Sequence, residues 1–169
     1  MQRYPASLRL LHWTVALLVL ATWPLGIVIK FIRDDVKLSF YLIHESLGFL
    51  LLWIMLARVI VRLTSRVPDA VSTGLSAFAA EAVHRFLYAF LVIMPVSGFL
   101  ATNAHGFPLT WFGFIPIWSP IGKDPSAAPW LSTIHTWSAW ILLAFIALHL
   151  AGVLFHHVVR RDNTLFRML

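Results

Sequence analysis

Four apolar segments, each long enough to cross a lipid bilayer, dominate this sequence of 169 residues. A helix needs about 20 residues to span about 30 Å of hydrocarbon, and it satisfies its own backbone hydrogen bonds there. Only 12% of the residues are charged, about half the share that is usual in a soluble domain. We therefore predict an all-α integral membrane four-helix bundle. It forms a single transmembrane domain over residues 1–169, with spans at about 8–29, 39–63, 82–103 and 131–159.

The first span also resembles a secretory signal peptide, because it has a basic start followed by an apolar run. Its apolar run is longer than the h-region of a signal peptide, and no A-x-A-like cleavage site follows it. We therefore expect the cell to retain this segment as a transmembrane helix.

Basic residues are distributed unequally between the two sides of the predicted bundle. Because Lys and Arg concentrate in cytoplasmic loops, we expect both termini to be cytoplasmic. The formal net charge of +6 is then a topology signal, which argues against nucleic acid as a partner. The cytoplasmic side carries nine basic residues, Arg3, Arg9, Arg58, Arg62, Arg66, Arg85, Arg160, Arg161 and Arg167, and the outer side carries four, Lys30, Arg33, Lys37 and Lys123.

The longest predicted loop, residues 104–130, lies on the outer side and contains five prolines. Proline interrupts a continuous helix, and the aromatic residues of this loop suit a membrane interface. We predict that the loop forms a lid on the outer surface, with a short amphipathic turn.

The chain contains no cysteine. This excludes disulfides, iron–sulfur clusters, thiolate zinc sites and the C-x-x-C-H attachment of c-type haem. Any redox cofactor must therefore be held noncovalently.

The fourth span carries a histidine at each end of the segment HTWSAWILLAFIALH, residues 135–149. Fourteen residues of helix make about 3.9 turns and rise about 21 Å, which places the two rings within about 40° of each other. His135 and His149 are therefore predicted to belong to two sites stacked through the membrane. Neutral imidazole is an axial ligand of haem iron, and two imidazoles give a six-coordinate electron-transfer centre.

Each of these sites needs a second imidazole at the same depth. His12 lies about one turn inside the first span and matches His149, while His44 lies about one turn inside the second and matches His135. We predict two noncovalent b-type haems, with these four histidines as iron ligands. The alternative is that each histidine only hydrogen-bonds a neighbouring helix. Polar groups in lipid are rare and usually functional, so four matched histidines favour ligands.

The same fourteen-residue step predicts further cofactor-binding residues, because it leads from His12 to Gly26, from His44 to Arg58 and from His84 to Gly98. We expect Gly26, Gly98 and Gly48 to let a flat macrocycle approach the backbone at the outer haem. We expect Arg58 and His84 to meet propionates or a quinone at the inner haem. Two alternatives stay open, because glycine also serves plain helix packing and Arg58 can be a snorkelling topology anchor.

Three histidines remain outside this pattern. His105 is expected to be solvated at the outer end of the third span. His156 and His157 are expected at the cytoplasmic membrane interface. Because His156 shares a helix face with His149, it is the candidate for a spare ligand or for a proton donor to a bound quinone.

With these histidines placed, nearly the whole chain resembles the bacterial cytochrome b561 family of four-helix, two-haem membrane proteins. The residues that carry the resemblance are LLHW at 10–13, HESLGFLLLWIMLARVIVRL at 44–63, HRFLYAFLVIMPVSG at 84–98, IH at 134–135 and ALHLAGVLFHHVVRRDNTLFRML at 147–169. The resemblance implies His12, His44, His135 and His149 as haem ligands and the bacterial inner membrane as location. Glu45 departs from the family pattern, where a basic residue is frequent, and this weakens any positive outer surface there.

The resemblance implies electron transfer. The activity of the family that it resembles includes oxidation of superoxide at the outer side and reduction of ubiquinone. The expected partners are then membrane lipid, ubiquinone and a small anionic reductant such as superoxide. The alternative is a membrane relay subunit for a separate dehydrogenase or cytochrome c, which would dock as a soluble redox partner on the outer loop. A non-redox transporter or scaffold fits the matched histidines badly.

Overall fold

The computed structural model describes residues 2–69 and 73–169, so the predicted domain boundary at residue 1 lies outside it. Four long helices account for most of the chain, and each has the length and hydropathy of a membrane span. The helices are α1 (Ala6–Val28), α2 (Asp34–Thr64), α3 (Gly74–His105) and α4 (Ala128–Leu154). The predicted all-α membrane four-helix bundle is thus confirmed.

The helices extend beyond the predicted apolar spans, because hydropathy marks only the part of a helix that contacts hydrocarbon. Helix α2 begins at Asp34 with two acidic residues in its first turn. Negative charge at this end stabilises a helix, because it interacts favourably with the helix dipole. Helix α3 ends where Gly106 takes a left-handed φ of 92° and its N–H bonds back to Asn103. Helix α4 begins with Pro129 in its first turn.

The last part of the predicted fourth span is not α-helical. Residues Phe155–Arg160 form a π-helical turn that continues α4, and Arg161 ends it with a φ of 52°. A short 3-10 helix follows at Leu165–Arg167. This wider turn changes the direction of side chains after Leu154, and π-helical turns often occur at functional sites.

Neighbouring helices pack in chain order, with α1 against α2, α2 against α3 and α3 against α4. Long side chains join α1 to α4, since Trp23 donates a hydrogen bond of 3.2 Å to the carbonyl of Ala139 and its ring contacts Trp140. Both chain ends lie at one end of the bundle, where the N–H of Tyr4 donates to the carbonyl of Arg167. The α2–α3 connection lies at the same end, because Arg167 also donates to the carbonyl of Asp69.

The centre of the bundle is an apolar layer with one residue from each helix, Val19, Leu51, Leu91 and Leu142. Each lies seven residues after His12, His44, His84 or His135, which is about two turns. Leu51 and Leu142 have no exposed surface. This layer therefore separates the two depths at which the histidines lie.

Residues of the long loop form a small hairpin instead of the predicted amphipathic turn. Strands β1 (Thr110–Trp111) and β2 (Ile115–Pro116) pair antiparallel, with Trp111 opposite Ile115. Phe112 and Gly113 form the turn with φ values of 48° and 80°, as a tight hairpin turn requires. The turn is held in place by α2, because the N–H of Phe112 donates 2.8 Å to Oγ of the fully buried Ser46.

Candidate haem sites

The predicted residues meet at two depths. We call the depth of His44 and His135 the loop level, because the hairpin loop lies at that end, and the depth of His12 and His149 the terminal level. The ring centres of His44 and His135 are 6.1 Å apart, and those of His12 and His149 are 6.2 Å apart. Both pairs predicted from depth alone are therefore adjacent in space.

At the loop level both imidazoles are oriented by backbone carbonyls. Nδ1 of His44 donates to the carbonyl of Thr22 at 3.0 Å, and Nδ1 of His135 donates to the carbonyl of Met94 at 2.7 Å. A ring that donates through Nδ1 keeps the lone pair of Nε2 for a metal. The two Nε2 atoms are thus available as a pair of ligands.

A glycine makes each of these hydrogen bonds sterically feasible. A Cβ on Gly26 would lie 2.8 Å from Cε1 of His44, and a Cβ on Gly98 would lie 2.7 Å from Nδ1 of His135. Each glycine comes four residues after the accepting carbonyl, on the same turn of helix. The prediction was that these glycines let a macrocycle approach the backbone, and the structure shows that an imidazole lies against each of them.

The two accepting segments share a further feature that sequence reasoning missed. They read TWPLG at 22–26 and MPVSG at 94–98, with a proline between the carbonyl and the glycine in each. Proline inside a helix removes a hydrogen bond and bends the axis. The available signal was a proline within the four residues before each glycine at the predicted loop level.

The third predicted glycine, Gly48, has a different environment. A Cβ there would meet nothing within 4 Å, although Gly48 lies only one turn beyond His44 on α2. The position is open space, which a planar group can occupy. Nearby, Thr102 donates 3.0 Å to the carboxylate of Glu45 and joins α3 to α2.

The terminal level has a different composition. His84 also lies beside His149, and the centres of these two rings are 5.3 Å apart. Arg58 lies over the ring of Tyr88 at 5.2 Å and acts electrostatically on His12, His84 and His149. The structure therefore brings together all four residues predicted there, and no glycine flanks these imidazoles as at the loop level.

Three buried polar atoms at this end have no hydrogen-bond partner within residues 2–69 and 73–169. They are Nδ1 of His12, Nε of Arg58 and Nε of Arg9. Buried polar groups usually have partners, so these atoms indicate that a polar group from outside the chain belongs here. A haem propionate or a quinone carbonyl has the acceptor oxygens that a guanidinium needs.

The remaining histidines have specific partners. His105 is exposed, as predicted, and contacts Oγ of Ser132 at 3.0 Å. The ring of His157 lies 5.9 Å from that of Phe166. His156 is mostly buried and pairs with Asp162, with 2.5 Å between Nδ1 and Oδ2. Asp162 is a residue that sequence reasoning missed, because its approach depends on the π-helical turn.

A sequence model of the prokaryotic cytochrome b561 family matches residues 3–169. The chain belongs to this family. Three relatives align with nearly its whole length. Cytochrome b561 homolog 2 of Escherichia coli K12 is 29% identical over 99% of this chain and 92% of its own. The probable superoxide oxidase CybB of Yersinia pestis is 28% identical over 94% and 91%. Cytochrome b561 homolog 1 of Escherichia coli K12 is 27% identical over 100% and 98%.

Membership of the cytochrome b561 family makes this a bacterial multi-pass membrane protein that binds b-type haem and carries electrons. The histidine pairs fit that cofactor. Two imidazoles on one metal have ring centres about 6 Å apart, since each metal–nitrogen bond is about 2 Å and each ring adds about 1 Å. The residues that the structure describes contain no cluster of three or more His, Asp or Glu side chains suited to a bare metal ion. The pairs therefore suit iron whose other ligands come from a porphyrin.

Proposed function

We propose that this cytochrome binds two b-type haems, one at each level, oxidises superoxide at the loop end and reduces ubiquinone at the terminal end. Under this proposal His44 and His135 are the iron ligands of one haem, and His12 and His149 those of the other. The observation that carries the proposal is the equal spacing of the two pairs, 6.1 and 6.2 Å, on opposite sides of one apolar layer. The relative named a probable superoxide oxidase supports the substrate.

The reaction balances in electrons and protons. Two superoxide anions give two O₂ and two electrons, and ubiquinone takes up two electrons and two protons to give ubiquinol. When bound, haem supplies the one-electron chemistry that the side chains of this cysteine-free chain do not provide. The chain itself holds the imidazoles in place, keeps the space between the levels apolar and delivers protons to the quinone.

Basic residues near the loop end attract an anion such as superoxide, but weakly. Lys30, Arg33 and Lys37 lie close to the start of α2. Arg33 pairs with Asp35 at 2.9 Å, and Lys37 pairs with Asp34 at 2.7 Å. The carboxylates offset most of this positive field, so we expect the rate to fall only modestly as ionic strength rises.

A proton donor for the quinone is available at the terminal end. The π-helical turn places His156 against Asp162, which also accepts hydrogen bonds from the N–H and Oγ1 of Thr164 at 2.9 and 2.6 Å. Partial burial acts to raise the pKa of Asp162, but the bonds from Thr164 and His156 outweigh it and lower the pKa to about 2. The carboxylate is therefore ionised at neutral pH and is positioned as a hydrogen-bond acceptor for the His156 ring at 2.5 Å.

This proposal requires the loop end to face the periplasm and both chain ends to face the cytoplasm. The nine-to-four division of basic residues supports that orientation. We expect a phosphatase reporter fused after Leu169 to be inactive and a fluorescent reporter at the same place to be bright. A reporter that is active only in the periplasm would contradict the orientation.

Superoxide should reduce the purified, oxidised protein within seconds, because the loop-level histidines lie toward the end of the bundle that carries the hairpin loop. The measurement is rapid mixing with superoxide, followed at the absorbance of reduced b-type haem. Adding a ubiquinone analogue should then reoxidise the haem. If superoxide does not reduce the haem, or if the quinone does not reoxidise the reduced haem, a relay subunit for a soluble partner becomes the better proposal.

His156→Gln should slow reoxidation by the ubiquinone analogue at least about tenfold, because general acid catalysis typically contributes a factor of 10² or more. Asp162→Asn should have a smaller effect in the same direction, since it leaves the imidazole in place. Reduction by superoxide should be unchanged in both variants. The matched control is His157→Gln, which alters the neighbouring histidine beside Phe166. Equal slowing by His157→Gln would remove the specific role of His156.

A further inference from the structure

The two levels are built on the same four-helix register but differ at the positions that flank the imidazoles. Fourteen residues separate Gly26 from His12 and Gly98 from His84. The same interval separates His44 from Arg58. The loop level thus has glycine where the terminal level has histidine, and the permanent cation of Arg58 lies at the depth of the terminal pair.

At the loop level the carbonyls increase the basicity of the ligands. His44 and His135 each donate Nδ1–H to a carbonyl, at 3.0 and 2.7 Å, and this raises the basicity of Nε2. A more basic ligand stabilises ferric iron over ferrous iron. Hydrogen bonding around the ligands is one of the ways in which a protein sets a haem potential, and here it lowers the potential.

At the terminal level the chain contributes charge instead of a backbone acceptor. No group in residues 2–69 and 73–169 accepts a hydrogen bond from the buried Nδ1 of His12, so no carbonyl of the described chain raises the basicity of that ligand. Arg58 lies fourteen residues after His44 on α2, which places it at the depth of His12 and His149, and a guanidinium stays charged at any physiological pH. A fixed positive charge in a poorly screened environment favours the less positive ferrous state, so it raises the potential.

We infer that the terminal level has the higher reduction potential, and that Arg58 together with the carbonyls of Thr22 and Met94 creates the difference. The inference rests on the proposed function for its two haems and names the residues that make electron transfer from loop level to terminal level favourable. Each electron then moves toward the quinone end without an external driving force.

The first test is a redox titration of the full-length protein, followed by absorbance. We expect two resolved one-electron transitions. The equilibrium constant for electron transfer from the loop level to the terminal level should be at least about ten, which corresponds to a difference in potential of about 59 mV. Two variants assign the transitions. His149→Ala should lose the terminal-level haem and retain the transition at lower potential, and His135→Ala should lose the loop-level haem and retain the transition at higher potential. A single unresolved transition, or the reverse assignment, would overturn the inference.

The second test changes Arg58 and does not depend on the histidine variants folding. Arg58→Gln should lower the potential of the terminal-level transition and leave that of the loop-level transition unchanged. The equilibrium constant between the two levels should then fall several-fold. Arg58→Lys should restore most of the shift, because it keeps the charge. Arg66→Gln, which removes an exposed arginine just beyond the end of α2, is the matched control. An equal shift of both transitions, no shift, or the same shift in Arg66→Gln would contradict the inference.

These titrations need neither superoxide nor quinone, so they separate the inference from the proposed reaction. A protein that ignores superoxide but shows the expected transitions retains the inference and loses the substrate. A protein that oxidises superoxide but has equal potentials retains the reaction and loses the inference.

Discussion

Replacing His149 with alanine should lower the haem content of the purified protein from about two per chain to about one, because b-type haem is held mainly by its axial ligands. The haem that remains should be the one between His44 and His135. The contact between these two rings does not include His149. The measurement is the pyridine haemochrome absorbance divided by the protein concentration.

The complementary variants locate each haem. His44→Ala should also retain about one haem, and the double variant His44→Ala with His149→Ala should retain none. His105→Ala is the matched control, since this exposed histidine contacts only Ser132 among the hydrogen-bond partners that the structure describes, and its haem content should equal that of the unmodified protein. One haem per chain in the unmodified protein would refute the two-level arrangement.

The second large effect is expected from adding a side chain beside a loop-level imidazole. Gly98→Val would place its Cβ 2.7 Å from Nδ1 of His135, where the ring now bonds to the carbonyl of Met94. The valine must displace the ring, which breaks the hydrogen bond to that carbonyl and changes the geometry of the His44–His135 pair. We expect loss of the loop-level haem, seen as about one haem per chain, with the terminal level intact.

A glycine in open space provides the control for this substitution. A Cβ on Gly152 of α4 would meet nothing within 4 Å, so Gly152→Val should keep both haems. Gly26→Val should repeat the effect of Gly98→Val, because its Cβ would lie 2.8 Å from Cε1 of His44. Full haem content in both Gly26→Val and Gly98→Val would show that these glycines serve helix packing alone.

Regular spacing made the helices and the depth of the histidines predictable. Hydropathy marks spans, helix geometry converts fourteen residues into a fixed rise and rotation, and His12, His44, His135 and His149 therefore pair as expected. The carbonyls of Thr22 and Met94 were not predictable in the same way. A backbone acceptor has no side-chain signature, and its use depends on the rotamer of a histidine on another helix.

Tertiary contacts also explain the features that differ from the predictions. The hairpin forms because Ser46 supplies Oγ to the N–H of Phe112 and its carbonyl to Nε1 of Trp111, and nothing in the loop sequence names that partner. The end of α4 widens into a π-helical turn where His156 meets Asp162. Hydropathy is insensitive to that change, because both helix types satisfy their backbone hydrogen bonds.

The apolar layer of Val19, Leu51, Leu91 and Leu142 also acts as an electrical insulator. Charge that moves from one histidine level to the other travels about 21 Å of about 30 Å of hydrocarbon. Moving one charge through the whole membrane takes about 2.3 kcal/mol per 100 mV, so this path takes about 1.6 kcal/mol per 100 mV. In the proposed orientation electrons move toward the negative side of an energised membrane. Under the proposed function the membrane voltage therefore opposes turnover, and we expect the highest rate when the membrane is discharged.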